Sequence, residues 1–86
     1  MTHGKPFEEQ RLICTIHKSA KQEVRVSLNS FRGRTFGDLR LYVVNRQGLL
    51  VPTRKGITVG VDQLDELEEA VGRLRDASDP TAHSPF

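Results

Sequence analysis

Between Phe31 and Lys55 the chain interleaves flat rings with fixed positive charge. Phe31, Phe36 and Tyr42 stand among Arg32, Arg34 and Arg40, and the pair Arg54 and Lys55 follows. Together these residue types match the chemistry of a single nucleic-acid strand. Cations track its phosphates while rings stack on its bases, each stacked base contributing about 1–3 kcal/mol whatever its identity. Arginine suits the task because its planar fork binds phosphate through two parallel hydrogen bonds and also stacks. The chain has nine Arg and four Lys. Phe31, between Ser30 and Arg32 in an expected turn, is hard to bury and is the first stacking candidate. Phe36 and Tyr42 fit equally well in a second hydrophobic layer or a subunit interface, and Arg54 and Lys55 also fit a solvated loop.

Extended structure must position these groups. Leu12, Cys14 and Ile16 alternate with Ile13, Thr15 and His17, which suits a short first strand with Cys14 as a buried structural thiol. Lys18 to Gln22 reads as a polar connection. Val24, Val26 and Leu28 then alternate with Arg25, Ser27 and Asn29, a half-buried strand of period two. Phe31-Arg32-Gly33-Arg34 reads as a tight hairpin turn, with Gly33 free to take positive φ. The third strand runs from Arg34 to about Val44. Thr35, Gly37, Leu39, Leu41 and Val43 form its core face, and Arg34, Phe36, Asp38, Arg40 and Tyr42 its outer face. Asn45 to Gly48 is a second turn, and Leu49-Leu50-Val51 opens a fourth strand. Pro52 confines that strand to a sheet edge because it has no amide hydrogen to donate. Thr53 to Gly56 reads as a basic loop, after which Ile57 to Val59 resumes the strand.

A helix comes last. Val61, Leu64, Leu67, Val71 and Leu74 recur at steps of three and four. Acids crowd its first turns and Arg73 and Arg75 its last, both favourable for the helix dipole. Gly60 or Asp62 caps it, and Gly72 within the stripe suggests close packing or a bend. Four strands followed by one helix predict an α+β fold, a four-stranded antiparallel sheet with the helix covering one face. The expected boundaries are a flexible tail over 1–10, a single domain over 11–77 and a second flexible tail over 78–86.

Charge divides along the same lines. Residues 18–56 carry nine basic and two acidic side chains, and residues 57–86 carry two basic and seven acidic, within a chain of net charge +2. A basic half backed by an acidic one is the pattern of a polyanion-binding surface. A domain of 86 residues buries only about 60% of its unfolded surface and needs added support. Cys14 is the only cysteine, and His3, His17 and His83 lack metal-ligand spacing, so neither a disulfide nor a metal supplies it. Self-association is the remaining common route, and a homodimer is expected. No apolar run approaches the roughly 20 residues of a membrane span, so a soluble intracellular setting is expected, with no membrane partner.

Catalysis finds no motif. No serine has a nucleophile-elbow context, no histidine has an evident orienting acid, and the glycines form no phosphate-cradling loop before a helix. The acidic run from Asp65 to Glu69 reads as a solvated helix face. A non-enzymatic binding module without a cofactor is expected. Two other readings compete with single-strand binding. A protein-interaction adaptor would use an exposed sheet edge or helix face, and a structured-RNA binder would read shape and 2′-hydroxyls.

One arrangement is more specific. Val26-Ser27-Leu28-Asn29-Ser30-Phe31-Arg32-Gly33-Arg34, then Asp38-Leu39-Arg40, then Gly48, then Pro52-Thr53-Arg54-Lys55-Gly56-Ile57 resembles the C-terminal domain of the Positive Cofactor 4 family of transcriptional coactivators. The likeness runs from about Glu23 to Arg75. It implies a sheet-plus-helix homodimer whose β-ridges grip single-stranded or melted DNA, acting with the transcription or replication machinery. The implied location is the cytoplasm, at the nucleoid in a bacterium, or the nucleus in a eukaryote. Under that resemblance Phe31 is the stacking ring, Arg32 and Arg34 the turn cations, Arg40 the strand cation, and Arg54 and Lys55 the loop cations. Two positions depart from the pattern. Val43 stands where the family often has a tryptophan after the strand tyrosine, and Val51 where it often has a lysine before the loop proline. Both imply altered binding, with Tyr42 or Phe36 partly substituting. The short stretch before the first strand resembles the compact bacterial and phage members.

Overall fold

The fold is built from hairpins whose turns the sequence dictates. In the computed structural model, which describes residues 9–81, Arg32 and Gly33 have φ of 54° and 76° and join strands β2 (Gln22–Phe31) and β3 (Arg34–Val44). Positive φ at both central residues defines the primed two-residue turn whose twist matches that of the flanking strands. The second turn is fastened by Asn45. Its Oδ1 accepts the amides of Gln47 and Leu49 at 2.9 and 3.0 Å, while Gly48 takes φ 81° and leads into β4 (Leu50–Gly60). Strand β1 (Glu9–Ser19) turns directly into β2, with Ser19 paired to Gln22. All pairs are antiparallel and the order is β1-β2-β3-β4, a meander. β4 lies at an edge, as Pro52 requires.

Three details differ from the sequence-based expectation. β1 begins at Glu9, because Glu9 and Gln10 pair with Ser30 and Asn29. The expected tails fall otherwise on residues 1–8 and 82–86, outside the described residues, and on the helix end. The register shifts between Leu12 and Cys14, so Ile13 is an extra residue. Leu12 therefore lies opposite Ser27, on the other side of the sheet from Cys14 and Ile16, which face Val26 and Val24. Finally, the basic loop is a bulge within a continuous strand. Gly56 pairs with Arg40 and Pro52 with Tyr42, so Thr53, Arg54 and Lys55 stand opposite Leu41 alone.

Register assigns every side chain to a face. The apolar face carries Val24, Val26 and Leu28 of β2, Leu39, Leu41 and Val43 of β3, and Ile57 and Val59 of β4. The polar face carries Arg25, Ser27, Asn29 and Phe31, opposite Arg40, Asp38, Phe36 and Arg34. Among the described residues no hydrophobic side chain is buried, whereas Ser27, Asn29 and Asp38, all on the polar face, are 6%, 1% and 5% exposed. Cys14 is exposed rather than buried, because it sits on an edge strand whose apolar side is left uncovered by the described residues.

After β4 a single 3-10 turn (Val61–Gln63), capped at Gly60, leads into helix α1 (Leu64–Ser78). The Gly60 amide donates to the Gln63 side chain at 3.3 Å, and Asp62 has no capping bond. The helix does not cover the sheet. Leu64 approaches Gly37, but Val71 and Leu74 are 52% and 69% exposed and no helix residue is buried. Gly72 is not closely packed within the chain either, since a side chain there would meet only Arg75, at 4.0 Å. The molecule measures 54 × 36 × 18 Å with a radius of gyration of 15.9 Å, against about 12 Å for a compact domain of this length.

Close approach fixes one residue absolutely. A Cβ at Gly56 would lie 2.5 Å from the Leu39 carbonyl oxygen and 3.0 Å from the Arg40 Cα, both backbone. Gly56→Ala is expected to cost about 1–3 kcal/mol of stability through this overpacking, measured by urea unfolding at fixed protein concentration. Gly33→Asn, at a positive-φ site with open space around it, should cost less.

Candidate nucleic-acid interface

Register places Phe31, Arg34, Phe36, Arg40 and Tyr42 on the polar face, with Arg32 in the adjoining turn and Arg54 and Lys55 in the β4 bulge. Phe31 is 37% exposed at the hairpin tip, opposite Arg34, and the Arg32 guanidinium lies 5.1 Å from the centre of its ring. Phe36 is half-buried two positions further along β3, opposite Asn29. Arg34 and Phe36 also line an open recess with Thr58, Gly60, Asp62 and Gln63. Further along the sheet, in the β4 bulge opposite Leu41, Arg54 and Lys55 are exposed. The hairpin tip and the bulge thus carry two separate sets of cations along the sheet.

Arg40 has a different environment. Its Nε and Nη2 donate to Asp38 at 3.1 and 2.9 Å, a two-point ion pair, and Nη1 donates to the Thr53 carbonyl at 3.2 Å. Asp38 also accepts from the Thr58 hydroxyl at 3.1 Å. Hydrogen bonding to Asp38 raises the Arg40 pKa above its already high ordinary value. The guanidinium is committed on three sides, so its clearest work is to hold the bulge against β3. Thr53 completes the fastening, donating its hydroxyl to the Leu41 carbonyl at 2.8 Å and accepting the Lys55 amide at 3.1 Å. These bonds orient the backbone that carries Arg54 and Lys55.

Tyr42 is similarly engaged. The Arg25 guanidinium sits 4.4 Å from its ring centre, within cation–π range, and Arg25 also donates to Glu23 at 2.8 Å. Hydrogen bonding to Glu23 raises the Arg25 pKa. One side of the Tyr42 ring is therefore covered. Sequence reasoning missed Arg25, Thr53 and the anchoring role of Asp38. Arg25 was legible in one respect, since it occupies the polar phase of a strand whose apolar phase is Val24 and Val26. Val43 and Val51, the two departures from the resembled pattern, are paired with each other on the apolar face.

Known proteins share this fold. The family profile of the transcriptional coactivator p15 (PC4) matches residues 18–70, more than half of the chain and all of the residues from Phe31 to Lys55. The chain belongs to the PC4 family. A PC4 homologue from Burkholderia pseudomallei K96243 is similar in structure in two crystal forms. The tetragonal form has 36% identity and a TM-score of 0.72, covering 78% of this chain and 98% of that one. The orthorhombic form has 34% identity and a TM-score of 0.72, covering 83% and 96%. The bacteriophage T5 homologue of eukaryotic PC4 shares the fold at 18% identity and a TM-score of 0.66, over 81% of each chain. In this PC4-family chain the bulge cations, the hairpin-tip ring and the Asp38–Arg40 pair all lie inside the matched region.

Arg32 is the described non-glycine residue with positive φ, a conformation that costs an L-residue roughly 1–2 kcal/mol. Arg32→Asn, the side chain this turn prefers, is expected to raise stability by about 0.5–1 kcal/mol, read as an upward shift in melting temperature at fixed concentration. Asp38→Asn keeps the shape but removes the charge that holds Arg40. It should lower stability by about 1–3 kcal/mol, checked by the same melts.

Proposed function

We propose that this PC4-family chain is a non-enzymatic, sequence-tolerant single-stranded DNA-binding protein that works as a homodimer. The observation that supports the reading is an exposed ring at the β2–β3 turn among cations, with a second set of exposed cations in the β4 bulge. Phe31 with Arg32 and Arg34 forms one set, and Arg54 with Lys55 forms the other. Rings for bases and cations for phosphates are what a single strand requires, and a duplex hides its base faces from such a ring. Arg40 acts mainly by fixing the second ridge, and Tyr42, backed by Arg25, offers a further stacking surface. The same chemistry accepts RNA. The binding unit, expected over residues 11–77, takes in the whole of β1 and α1 and so runs from residue 9 to residue 78.

Dimerisation is supported by what the single chain leaves open. Among the described residues no hydrophobic side chain is buried, so Val24, Val26, Leu39 and Leu41 on the sheet and Val71 and Leu74 on the helix lack a core to join. A second copy covering this side would supply the missing core and set two polar faces beside each other. The cellular role we assign is that of a coactivator in transcription or a strand-binding factor in replication or repair. The phage T5 homologue, implicated in recombination-dependent DNA replication, favours the second of these contexts. The setting is the cytoplasm, at the nucleoid in a bacterium, or the nucleus in a eukaryote.

The test is fluorescence anisotropy of a labelled thymidine oligomer about 20 nucleotides long, with duplex competitor, over a range of salt. The log of the affinity is expected to fall with log salt by about 0.7 per neutralised phosphate. Arg34→Ala and Lys55→Ala should each flatten that slope. Phe31→Ala should weaken binding about 5- to 100-fold, in line with a lost stack, at unchanged slope. Equal losses on duplex and single-stranded probes would defeat the stacking role. Sedimentation at micromolar concentration should give twice the 9.7 kDa chain mass, and a monomer would defeat the dimer.

A further inference from the structure

The polar face holds a second recess that the two basic ridges do not use. It lies on the β1 side and is lined by Gln10, Leu12, Arg25, Ser27 and Tyr42. The Arg25 guanidinium and the Tyr42 ring, 4.4 Å apart, make it flat on one side. Leu12 brings an apolar side chain, 54% exposed, onto a face that is otherwise polar, and it does so because Ile13 shifts the register. Next to these residues stands Asn29, opposite Gln10 and one position along the same face from Ser27. Asn29 is 1% exposed, and neither its Nδ2 nor its Oδ1 has a hydrogen-bond partner. A buried amide with both ends unmatched is rare in folded proteins and calls for a ligand or a water.

We propose that this recess is a nucleobase pocket, in which one base of the bound strand lies between Leu12 and the Arg25–Tyr42 stack and its edge is read by the amides of Asn29 and Gln10. The inference rests on the single-strand reading above and adds a base-selective position to it. The chemistry of the recess favours a base over other ligands. A phosphate would gain little, because the Arg25 charge is already offset by Glu23 at 2.8 Å. A purely apolar ligand would leave Asn29 unmatched. A base offers a flat ring for the stack and Leu12, and adjacent donor and acceptor groups that complement an amide. Access runs from the edge strand. Gln10, exposed on β1 opposite Asn29, is the side chain that yields as the base arrives.

The test compares the four 20-nucleotide DNA homopolymers, and a thymidine 20-mer with abasic sites, on the full chain and its Asn29→Leu and Gln10→Ala variants. The natural protein is expected to rank the homopolymers over a range of about tenfold, the discrimination of one well-placed base-edge contact. Asn29→Leu, nearly isosteric and without hydrogen-bonding groups, should compress that range to about twofold. It should leave the salt dependence unchanged, since no phosphate contact is lost. Gln10→Ala, on the exposed edge, should narrow the range in the same direction and serves if Asn29→Leu does not fold. A range that survives in whichever variant folds would overturn the pocket, leaving the ridges as the whole interface. So would a natural protein that binds all four homopolymers alike, whereas equal binding to the abasic strand would defeat base stacking at Phe31 together with the pocket. Absence of binding to every single strand would instead defeat the underlying single-strand reading.

Discussion

The Asp38 carboxylate, nearly buried, accepts hydrogen bonds from Arg40 and Thr58, and the rest of the polar face is arranged around it. Through Arg40 it reaches the carbonyl of Thr53, so one negative charge in β3 holds the backbone of β4 in a bulge. Taking a carboxylate out of water is costly unless its oxygens are matched, and removing one partner of such a pair leaves the other charge stranded. The network therefore constrains geometry more firmly than its net contribution to stability would suggest. Gly56 belongs to the same arrangement, since β4 can cross Arg40 only where no side chain intervenes. The positions of Arg54 and Lys55 are consequences of this clamp.

Where a strand alternates cleanly and ends in a glycine turn, sequence and structure coincide. Val24, Val26 and Leu28 and their partners Leu41, Leu39 and Gly37 fall on one face, and Gly33 takes the positive φ its turn requires. Pro52 also told the truth about an edge. The misses have physical causes. Leu12 and Ile13 are adjacent apolar residues, so alternation cannot say which of them is extra, and the register shift sends Leu12 to the polar face. Thr53 to Lys55 has the composition of a loop, and only the hydroxyl of Thr53 and the fork of Arg40 keep it inside a strand. The helix stripe from Val61 to Leu74 was visible as a stripe, but periodicity does not say whether a chain buries it against itself. Asn29 gave no signal, because its unmatched amide is a property of its neighbours rather than of its type.

This chain separates the two tasks of a small domain between the sides of one sheet. The apolar side and the helix supply surface that wants covering, and the polar side supplies charge, rings and buried polar groups. Residues 18–56 are strongly basic while the helix is acidic. Charge is thereby segregated by element, and the two acids of the polar face, Glu23 and Asp38, are ion-paired to Arg25 and Arg40. Arg32 illustrates how far local comfort is subordinated to that surface, since asparagine or glycine would suit its backbone better.

The two outer strands of the meander share one further property. β1 is interrupted by register shifts at Ile13 and again between His17 and Ser19, and β4 by Pro52 and the bulge that follows it. Unbroken edges invite further strands to add on, and a bulge or a proline is what blunts them. In this sheet both margins are blunted, while the apolar surface is left open. Growth by strand addition, the route to fibres, is discouraged at both ends of the ladder. The apolar face stays open, and covering a face is a finite event where strand addition is not. The irregularity that displaces Leu12 and the one that raises Arg54 and Lys55 therefore also keep an apolar, core-poor sheet from polymerising.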